Sequence, residues 1–300
     1  MSNNNDALSA MLKQYENNAN SSTKNGTGKE YDLKNYFTTH LADKEKGATK
    51  RVRILPTSDG TTPFKELYGH KAQVDGEHKT FACLKHEMNE DCPFCEANDA
   101  LRATGKEAQK ELAKKYSAKK MYVVKVIDRD NEDHGVKFWR FNHDYRKQGI
   151  LDKIYGVLQA VNKNITDPET GRDLLVILSR DQNNRPAIQS ISHVDPTPLS
   201  EDKSLSDEWL NDERTWRDVY AIKPYDFLEI IVKGGVPVWD KVEKKFVDKA
   251  SLKDKEAEDV KEEITLGVPN VKNGIKTAPK LPVVADVEED NDDTVDDLPF

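Results

Sequence analysis

All three cysteines of the chain lie in one short segment, together with three of its seven histidines. His70, Cys83, Cys92 and Cys95 follow the pattern His-x12-Cys-x8-Cys-x2-Cys. The closing Cys-x2-Cys pair is typical of a metal-binding turn, because two thiolates at this spacing can bind one ion. One imidazole and three thiolates complete a tetrahedron and leave no position for water. The segment therefore predicts one structural Zn²⁺, which contributes folding energy to a loop-rich region.

Several alternatives to this site remain open from the spacing alone. His78 and His86 lie in the same segment as His70, so either can supply the imidazole. The three cysteines can also be buried, inert thiols. A catalytic zinc is disfavoured, because zinc deaminases combine His-x-Glu with Pro-Cys-x-x-Cys. Here Pro93 lies inside the cysteine pair and the sequence has no His-x-Glu, so a zinc-dependent nucleic-acid enzyme is the least favoured class.

The middle of the chain interleaves positive charge with aromatic rings. From Arg102 to Lys153 there are fourteen basic and eight acidic residues. A single-strand binder needs both types, because phosphates attract cations and unstacked bases pack on flat rings. The candidate phosphate contacts are Lys114, Lys115, Lys119, Lys120, Arg140, Arg146 and Lys147, with Arg51 and Arg53 as weaker candidates. The candidate stacking rings are Tyr116, Tyr122, Trp139, Phe141 and Tyr145.

Strand geometry limits how many of these rings can meet DNA. In the predicted strand 136–142, Trp139 and Phe141 share one face and Arg140 lies on the other. One face must line the core, so we expect about half of the candidate rings to be buried.

The periodicity of the chain predicts a mainly β fold with helices. Alternating or continuous apolar runs predict strands at 51–55, 121–128, 136–142, 173–180 and 186–194, and 3.6-residue periodicity predicts helices at 96–116 and 150–161. Towards the C-terminus, the pattern favours a helix at 207–222 and strands at 227–232 and 236–247. This order favours an oligonucleotide-binding (OB) barrel with an inserted zinc-binding lobe at about 64–100.

Composition divides the chain into three parts. Residues 1–30 predict a short amphipathic helix and a linker, an arm that can serve self-association. Residues 31–265 form the predicted DNA-binding core, with 200–265 as an extension. Residues 266–300 are a linker and a disordered tail, whose last twenty residues carry eight acidic and no basic side chains. No apolar run approaches the ~20 residues of a membrane span, so we expect a cytoplasmic protein without membrane contact.

Several stretches resemble the single-stranded DNA-binding (helix-destabilising) proteins of T-even-type tailed bacteriophages. These are RVRILPTS, the metal-ligand spacing, LAKKYS, GVKFWRF, LDKI and PAIQSIS, within residues 50–200. The resemblance implies an OB fold with a structural zinc and favours His70 as the fourth ligand. It also implies that Lys114 and Lys115 contact DNA, and that the strand with Trp139, Arg140 and Phe141 stacks on bases.

The resemblance implies a protein without enzymatic activity that binds and protects single-stranded DNA, regardless of sequence, in phage replication, recombination and repair. It would act in the cytoplasm of the infected host. The N-terminus departs from the family, because it has only Lys13 where the family carries a basic patch for cooperative binding. A zinc-containing RNA-binding or scaffold protein is the alternative function.

The acidic tail ends in DDLPF, similar to the tip of bacterial single-stranded DNA-binding proteins. Its carboxylates can compete with phosphates for a basic groove. Its apolar end offers an anchor to replication and recombination proteins, such as a polymerase, helicase loader, primase or recombination mediator. The predicted partner-binding residues are Asp296, Asp297, Leu298, Pro299 and Phe300. A tail that only keeps the protein in solution is the alternative.

Overall fold

The protein is described by a computed structural model that covers residues 33–42 and 45–252. The predicted arm (1–30) and tail (266–300) lie outside the described residues. The described chain divides into two compact units. The first comprises residues 33–42, 45–65 and 122–219, and the second comprises 66–121 and 220–252. None of the helices in these ranges has the length and apolar character required to cross a membrane.

The described residues form strands and short helices in alternation. The strands are β1 (Gly47–Ile54), β2 (Lys65–Val74), β3 (Glu77–Ala82), β4 (Lys119–Asp128), β5 (Val136–Asn142), β6 (Leu174–Arg180), β7 (Pro186–His193), β8 (Pro237–Asp240) and β9 (Lys245–Asp248). The helices are α1 (Leu84–Glu87), α2 (Pro93–Ala103), α3 (Glu107–Tyr116), α4 (Ile150–Val161), α5 (Lys203–Leu210), α6 (Trp216–Val219) and α7 (Tyr225–Val232). The prediction of a mainly β chain with helices is confirmed.

The first unit is an antiparallel sheet covered by one amphipathic helix. Strand β1 pairs with β4 on one side and with β6 on the other, β6 pairs with β7, and β5 pairs with β4. The apolar stripe of α4 is buried at Ile150, Ile154 and Val157. These side chains share one core with residues of β1, β4, β5 and β6. The strands predicted for this part of the chain and the helix predicted at 150–161 are confirmed.

A buried carboxylate joins several segments of the first unit. Asp173, which is fully buried, accepts hydrogen bonds from the guanidinium groups of Arg51, Arg53 and Arg129 at 2.7–3.1 Å. Arg53 is itself fully buried and also donates to the carbonyl of Thr197 at 2.5 Å. Burial lowers the pKa of the Arg53 guanidinium, which Asp173 opposes. Arg53 therefore has a structural role here, although the sequence made it a weak candidate for DNA contact.

Asp173→Asn should destabilise the protein, because it leaves three guanidinium groups around a neutral amide. We expect the free energy of unfolding in urea to fall by roughly 3–5 kcal/mol, the usual cost of breaking a buried ion pair. The control is Asp195→Asn, whose exposed side chain lies 3.9 Å from Arg172. A surface pair contributes about 0–1 kcal/mol. Equal losses in both variants would contradict the structural role of Asp173.

The second unit contains a hairpin that the sequence analysis did not identify. Strands β2 and β3 are antiparallel, with Val74 opposite Glu77. The two residues between them, Asp75 and Gly76, have φ angles of 53° and 84°. Positive φ at both central positions is typical of a type I′ turn, for which Asp-Gly is a favoured sequence. The hairpin replaces the irregular loop expected around the cysteine segment.

Two predicted elements of the second unit have different limits. The predicted helix 96–116 is two helices, α2 and α3, separated by residues 104–106. The predicted strand 236–247 is the β8–β9 hairpin, with Trp239 opposite Phe246.

The strand predicted at 227–232 is wrong, because these residues belong to helix α7. A short apolar run does not distinguish a buried strand from a buried helix. Leu228 and Ile231, three positions apart, are the buried residues of this helix, and Pro224 is its N-cap. In the first unit, the predicted helix 207–222 is likewise replaced by the short helices α5 and α6.

Candidate metal centre and nucleic-acid interface

The four predicted ligand residues lie together in the second unit. One ligand atom from each of His70, Cys83, Cys92 and Cys95 lies within 4.8 Å of the others. The Sγ atoms of Cys83 and Cys95 are 3.5 Å apart, and His70 Nε2 lies 3.4 Å from Cys92 Sγ and 3.7 Å from Cys95 Sγ. Tetrahedral zinc bond lengths imply ligand separations of about 3.6–3.8 Å. The cluster therefore fits one metal ion.

Each ligand is positioned by a regular element or by its end. His70 lies in β2, opposite Phe81 of β3. Cys83 follows β3 and precedes α1, and Cys92 precedes α2. Cys95 lies in the first turn of α2, and Pro93 occupies the start of that helix. The β2–β3 pairing thus brings the first two ligands together across twelve intervening residues, and the α2 turn supplies the other two.

The imidazole of His70 is held from two sides. Its Nδ1 lies 3.0 Å from the backbone carbonyl of Tyr116, the last residue of α3. Its ring stacks on Phe94, with centroids 4.8 Å apart and planes within 10°. With Nδ1–H donating to that carbonyl, the Nε2 lone pair points at the sulfur atoms. This is the arrangement that metal-binding histidines usually have.

The other two histidines of the segment are placed differently. His78 is exposed on β3. His86 lies beside the cluster, with Nδ1 3.1 Å from Cys83 Sγ and its ring stacked on Tyr68. His86 can therefore donate a hydrogen bond to the sulfur of Cys83, while His70 is the histidine grouped with all three cysteines.

The protonation of the thiols shows why the cluster suits a cation. A hydrogen bond from Cys83 lowers the pKa of Cys92 to about 3. The same bond, with burial, raises the pKa of Cys83, and burial raises the pKa of Cys95 to about 11. The raised pKa values of Cys83 and Cys95 mean that these two thiols must lose their protons before their sulfur atoms can bind a cation. Metal binding at all three sulfurs releases protons, so metal affinity decreases as the pH falls.

His70→Ala should remove metal from the purified protein, because it deletes one of the four grouped ligands. We expect metal content, measured by elemental analysis after dialysis, to fall from about one ion per chain to well below half, in line with four-ligand sites. His78→Ala is the matched control, since it alters an exposed imidazole in the same hairpin. Metal content that is unchanged in His70→Ala would contradict the site.

Three lysines of the second unit crowd together near the end of α3. Lys119 interacts electrostatically with Lys71 and Lys114; burial, followed by these two charges, lowers the pKa of Lys119. We call Lys71, Lys114 and Lys119 the lysine cluster. Lys115 is exposed in the last turn of α3. Lys120, by contrast, pairs with Glu66 at 2.6 Å, which lessens its value as a phosphate contact.

Six rings of the first unit form a continuous row, which we call the aromatic array. In order they are Tyr155, Phe64, Phe141, Tyr122, His143 and Tyr145, with successive centroids 4.5–6.4 Å apart. The two end rings are exposed, Tyr145 to 75% and Tyr155 to 46%. Phe64, Phe141 and Tyr122 are buried. The Tyr122 hydroxyl and His143 Nδ1 are 3.1 Å apart, which links the buried rings to Tyr145.

Loop 143–149 is organised by the carboxylate of Asp144. This group accepts hydrogen bonds from the backbone N–H groups of Arg146 and Gln148 at 2.8 and 3.0 Å. A Cβ atom at Gly149 would lie 2.7 Å from the Asp144 side chain, so the loop requires glycine there. The side chains of Tyr145, Arg146 and Lys147 are all exposed. One fixed loop thus presents a ring and two cations to solvent.

Strand β5 is buried on both faces, contrary to the expectation of one open face. Trp139, Arg140 and Phe141 are 0%, 5% and 4% exposed. Phe37 packs on Trp139 at 5.2 Å, and Lys125 and Arg214 lie over Phe138 on the other face. These three residues therefore offer no ring face or free guanidinium to a strand, and we leave them out of the interface. Tyr116 is half-buried beside Phe94 and supports the metal cluster.

Besides the buried Phe64, three residues of the aromatic array and the lysine cluster were missed from the sequence. Tyr155 lies outside the apolar stripe of α4. Its exposure could have been predicted from the sequence, because helix residues outside the apolar stripe face solvent. His143 and Lys71 gave no such signal, because their roles depend on contacts with Tyr122 and Lys119 from other elements.

Comparison with known families gives one match. The family model described as "gp32 DNA binding protein like" matches residues 46–214, more than half of the chain. The matched range includes the four grouped ligands, the lysine cluster, the aromatic array and loop 143–149. No curated protein sequence matches the chain.

Proposed function

The chain belongs to the gp32 DNA-binding protein-like family, and on this premise we propose that it binds single-stranded DNA without sequence specificity. The observation that carries the proposal is the exposure of Tyr145 and Tyr155 at the two ends of a packed aromatic array. The exposed cations Arg146 and Lys147 follow Tyr145 directly in the chain. Rings that stack on bases, with cations that meet the backbone, are what such binding requires. Bases in a duplex cannot present their faces to these rings.

Tyr145 and Tyr155 are held in place by other rings of the aromatic array, which favours a role in base stacking. Tyr145 packs edge-on against His143 at 4.5 Å, and His143 contacts the buried Tyr122. Tyr155 packs against the buried Phe64. Both rings are therefore held before a strand arrives, which reduces the ordering cost of binding.

The second unit would supply a further set of phosphate contacts. In the lysine cluster and at Lys115, positive charges lie close together on the surface, and the lowered pKa of Lys119 reflects burial and their repulsion. A polyanion relieves this repulsion. Lys114 pairs with Glu111 at 2.6 Å, but both side chains are more than half exposed, so that pair is weak and yields to phosphate.

We assign zinc to the grouped ligands, because three thiolates and one imidazole are a donor set that zinc prefers. Four protein ligands make the ion structural. His70, Cys83, Cys92 and Cys95 would hold it, and it would stabilise the β2–β3 hairpin against the start of α2. For the first unit we propose a closed OB barrel, which its antiparallel strands and the covering helix α4 support.

The biological setting we propose is phage DNA replication, recombination and repair in the host cytoplasm, without enzymatic activity. The acidic residues near the C-terminus would compete with DNA for the basic surfaces, as phosphates do. Residues 296–300 would bind replication and recombination proteins through an apolar anchor and adjacent carboxylates. Residues 1–30 would serve self-association along DNA.

Tyr145→Ala and Tyr155→Ala should each weaken binding to a single strand. A stacked base contributes about 1–3 kcal/mol, so we expect the Kd for oligothymidylate to rise roughly 5- to 150-fold. Tyr145→Phe and Tyr155→Phe are the matched controls, because they keep the ring and should stay within about threefold of wild type. Fluorescence anisotropy at fixed salt measures all four. Binding unchanged in both alanine variants would contradict the proposal.

The double variant Arg146→Ala/Lys147→Ala should lessen the salt dependence of binding. Each lost phosphate contact reduces the slope of log K against log[salt] by about 1, so the pair should reduce it by about 2. Lys110→Ala is the control, since Lys110 lies in α3, outside loop 143–149 and outside the lysine cluster. A slope that is unchanged by the double variant would exclude loop 143–149 from the interface.

A further inference from the structure

The β8–β9 hairpin exposes a tryptophan outside the range that the family model matches. Trp239 is 52% exposed and packs edge-on against Phe246, its cross-strand neighbour, with centroids 5.0 Å apart. Phe246 contacts Phe227 of α7 at 5.1 Å, and Phe227 contacts the buried Phe81 at 5.9 Å. The exposed indole is therefore the outer end of a row of rings that begins in the core of the second unit.

Residues 237–248 of the hairpin contain three lysines and three acidic residues. Lys241 and Lys244 are exposed at the hairpin turn, and neither forms an ion pair with another described residue. The acidic groups of the hairpin are occupied. Asp240 accepts from the backbone N–H groups of Val242 and Glu243, at 2.8 and 3.1 Å.

The other two acidic residues of the hairpin also have partners. Asp248 accepts from the backbone N–H of Val236 at 3.1 Å, and Glu243 pairs with Lys245 at 2.5 Å. The hairpin therefore carries an exposed flat ring and, close to it along the chain, two exposed lysines that form no ion pair with another described residue.

We infer that the β8–β9 hairpin is a second contact site for single-stranded nucleic acid, in which a base stacks on Trp239 and its phosphates meet Lys241 and Lys244. The inference rests on the proposed function and extends it beyond residues 46–214. A strand of nucleic acid fits better than a protein partner. The exposed apolar surface consists of one ring and Val242, flanked by cations, whereas protein partners favour a larger contiguous apolar patch.

The distribution of tryptophans makes the site observable on its own. The chain has four, at positions 139, 209, 216 and 239. Trp139, Trp209 and Trp216 are buried, at 0%, 2% and 8% exposure. A base in contact with an indole quenches its emission, so any quenching by stacking must come from Trp239. Binding at Tyr145 and Tyr155 alone leaves the tryptophan emission nearly unchanged.

The test uses the full-length protein with oligothymidylates of increasing length, followed in parallel by tryptophan emission and by anisotropy of a labelled strand. Wild type should show quenching, and addition of the strand should protect Trp239 from acrylamide. Trp239→Phe should lose the quenching yet bind within about threefold of wild type, because a ring remains. Trp239→Ala should raise the Kd for long strands about tenfold, the effect of one stacked base.

Two further variants separate stacking from other contributions of the hairpin. Val242→Ala removes exposed apolar surface at the turn and should leave the Kd unchanged. Lys241→Ala/Lys244→Ala should reduce the salt slope by about 2. Thermal unfolding of each variant confirms that the hairpin remains folded.

The outcomes for this site and for the proposed function are distinct. If wild type binds single strands without tryptophan quenching, and Trp239→Ala binds equally well at every length, the hairpin site is overturned while the proposed function stands. Weakening by Val242→Ala as strong as that by Trp239→Ala would also overturn it and would indicate an apolar protein-binding surface instead. If wild type binds no single strand at all, both proposals fail.

Discussion

Close approach of three sulfur atoms and one imidazole nitrogen is the constraint on which the second unit depends. At these separations burial and the neighbouring sulfur atoms disfavour a second negative charge, and the pKa values of Cys83 and Cys95 are raised. A divalent cation bound to the sulfur atoms would offset the repulsion between thiolates and hold the four ligands together. Cys83 follows the β2–β3 hairpin and Cys95 lies in the first turn of α2, so an ion bound to the cluster would fix the position of one relative to the other. His70 extends the effect, because its second nitrogen binds the last carbonyl of α3. The helix that carries Lys114 and Lys115 is thereby tied to the metal cluster.

The first unit relies on a different kind of interaction. Asp173 holds three arginines from β1 and the end of β4, and these arginines in turn bind carbonyls of the segments around Thr197 and Leu199. Such a network fixes the sheet while its outer loops remain available for binding. Loop 143–149 is held in a similar way, because the carboxylate of Asp144 binds its backbone N–H groups. Its cationic side chains, Arg146 and Lys147, remain exposed to solvent. The residues that hold the sheet together and the residues of the loop that we propose for binding are thus separate sets.

The sequence was most informative where chemistry or periodicity is local. Cysteine spacing predicted the three sulfur ligands, and the family resemblance favoured His70 among three histidines. Apolar runs predicted β4 and β5 nearly to the residue. It was least informative where the answer depends on distant packing. Phe37 packs on one face of the strand 136–142 and Arg214 lies over the other face, and neither contact can be predicted from the residues of the strand itself. The sequence therefore left Trp139 among the candidate stacking rings. The apolar run 227–232 was ambiguous for the same reason. Asp75–Gly76 is a typical hairpin-turn sequence. The strands on either side of it are polar and show little alternation of apolar and polar residues, so they did not indicate a hairpin.

The crowding of Lys71, Lys114 and Lys119 has a consequence for the protein in the absence of any nucleic acid. The charges of Lys71 and Lys114 contribute to the lowered pKa of Lys119, and small multivalent anions can offset their repulsion. Sulfate or phosphate should therefore protect the folded chain against heat more than chloride does at equal ionic strength. The same ions occupy the surface to which a polynucleotide would bind, so the choice of buffer anion, and not only its concentration, sets the apparent affinity.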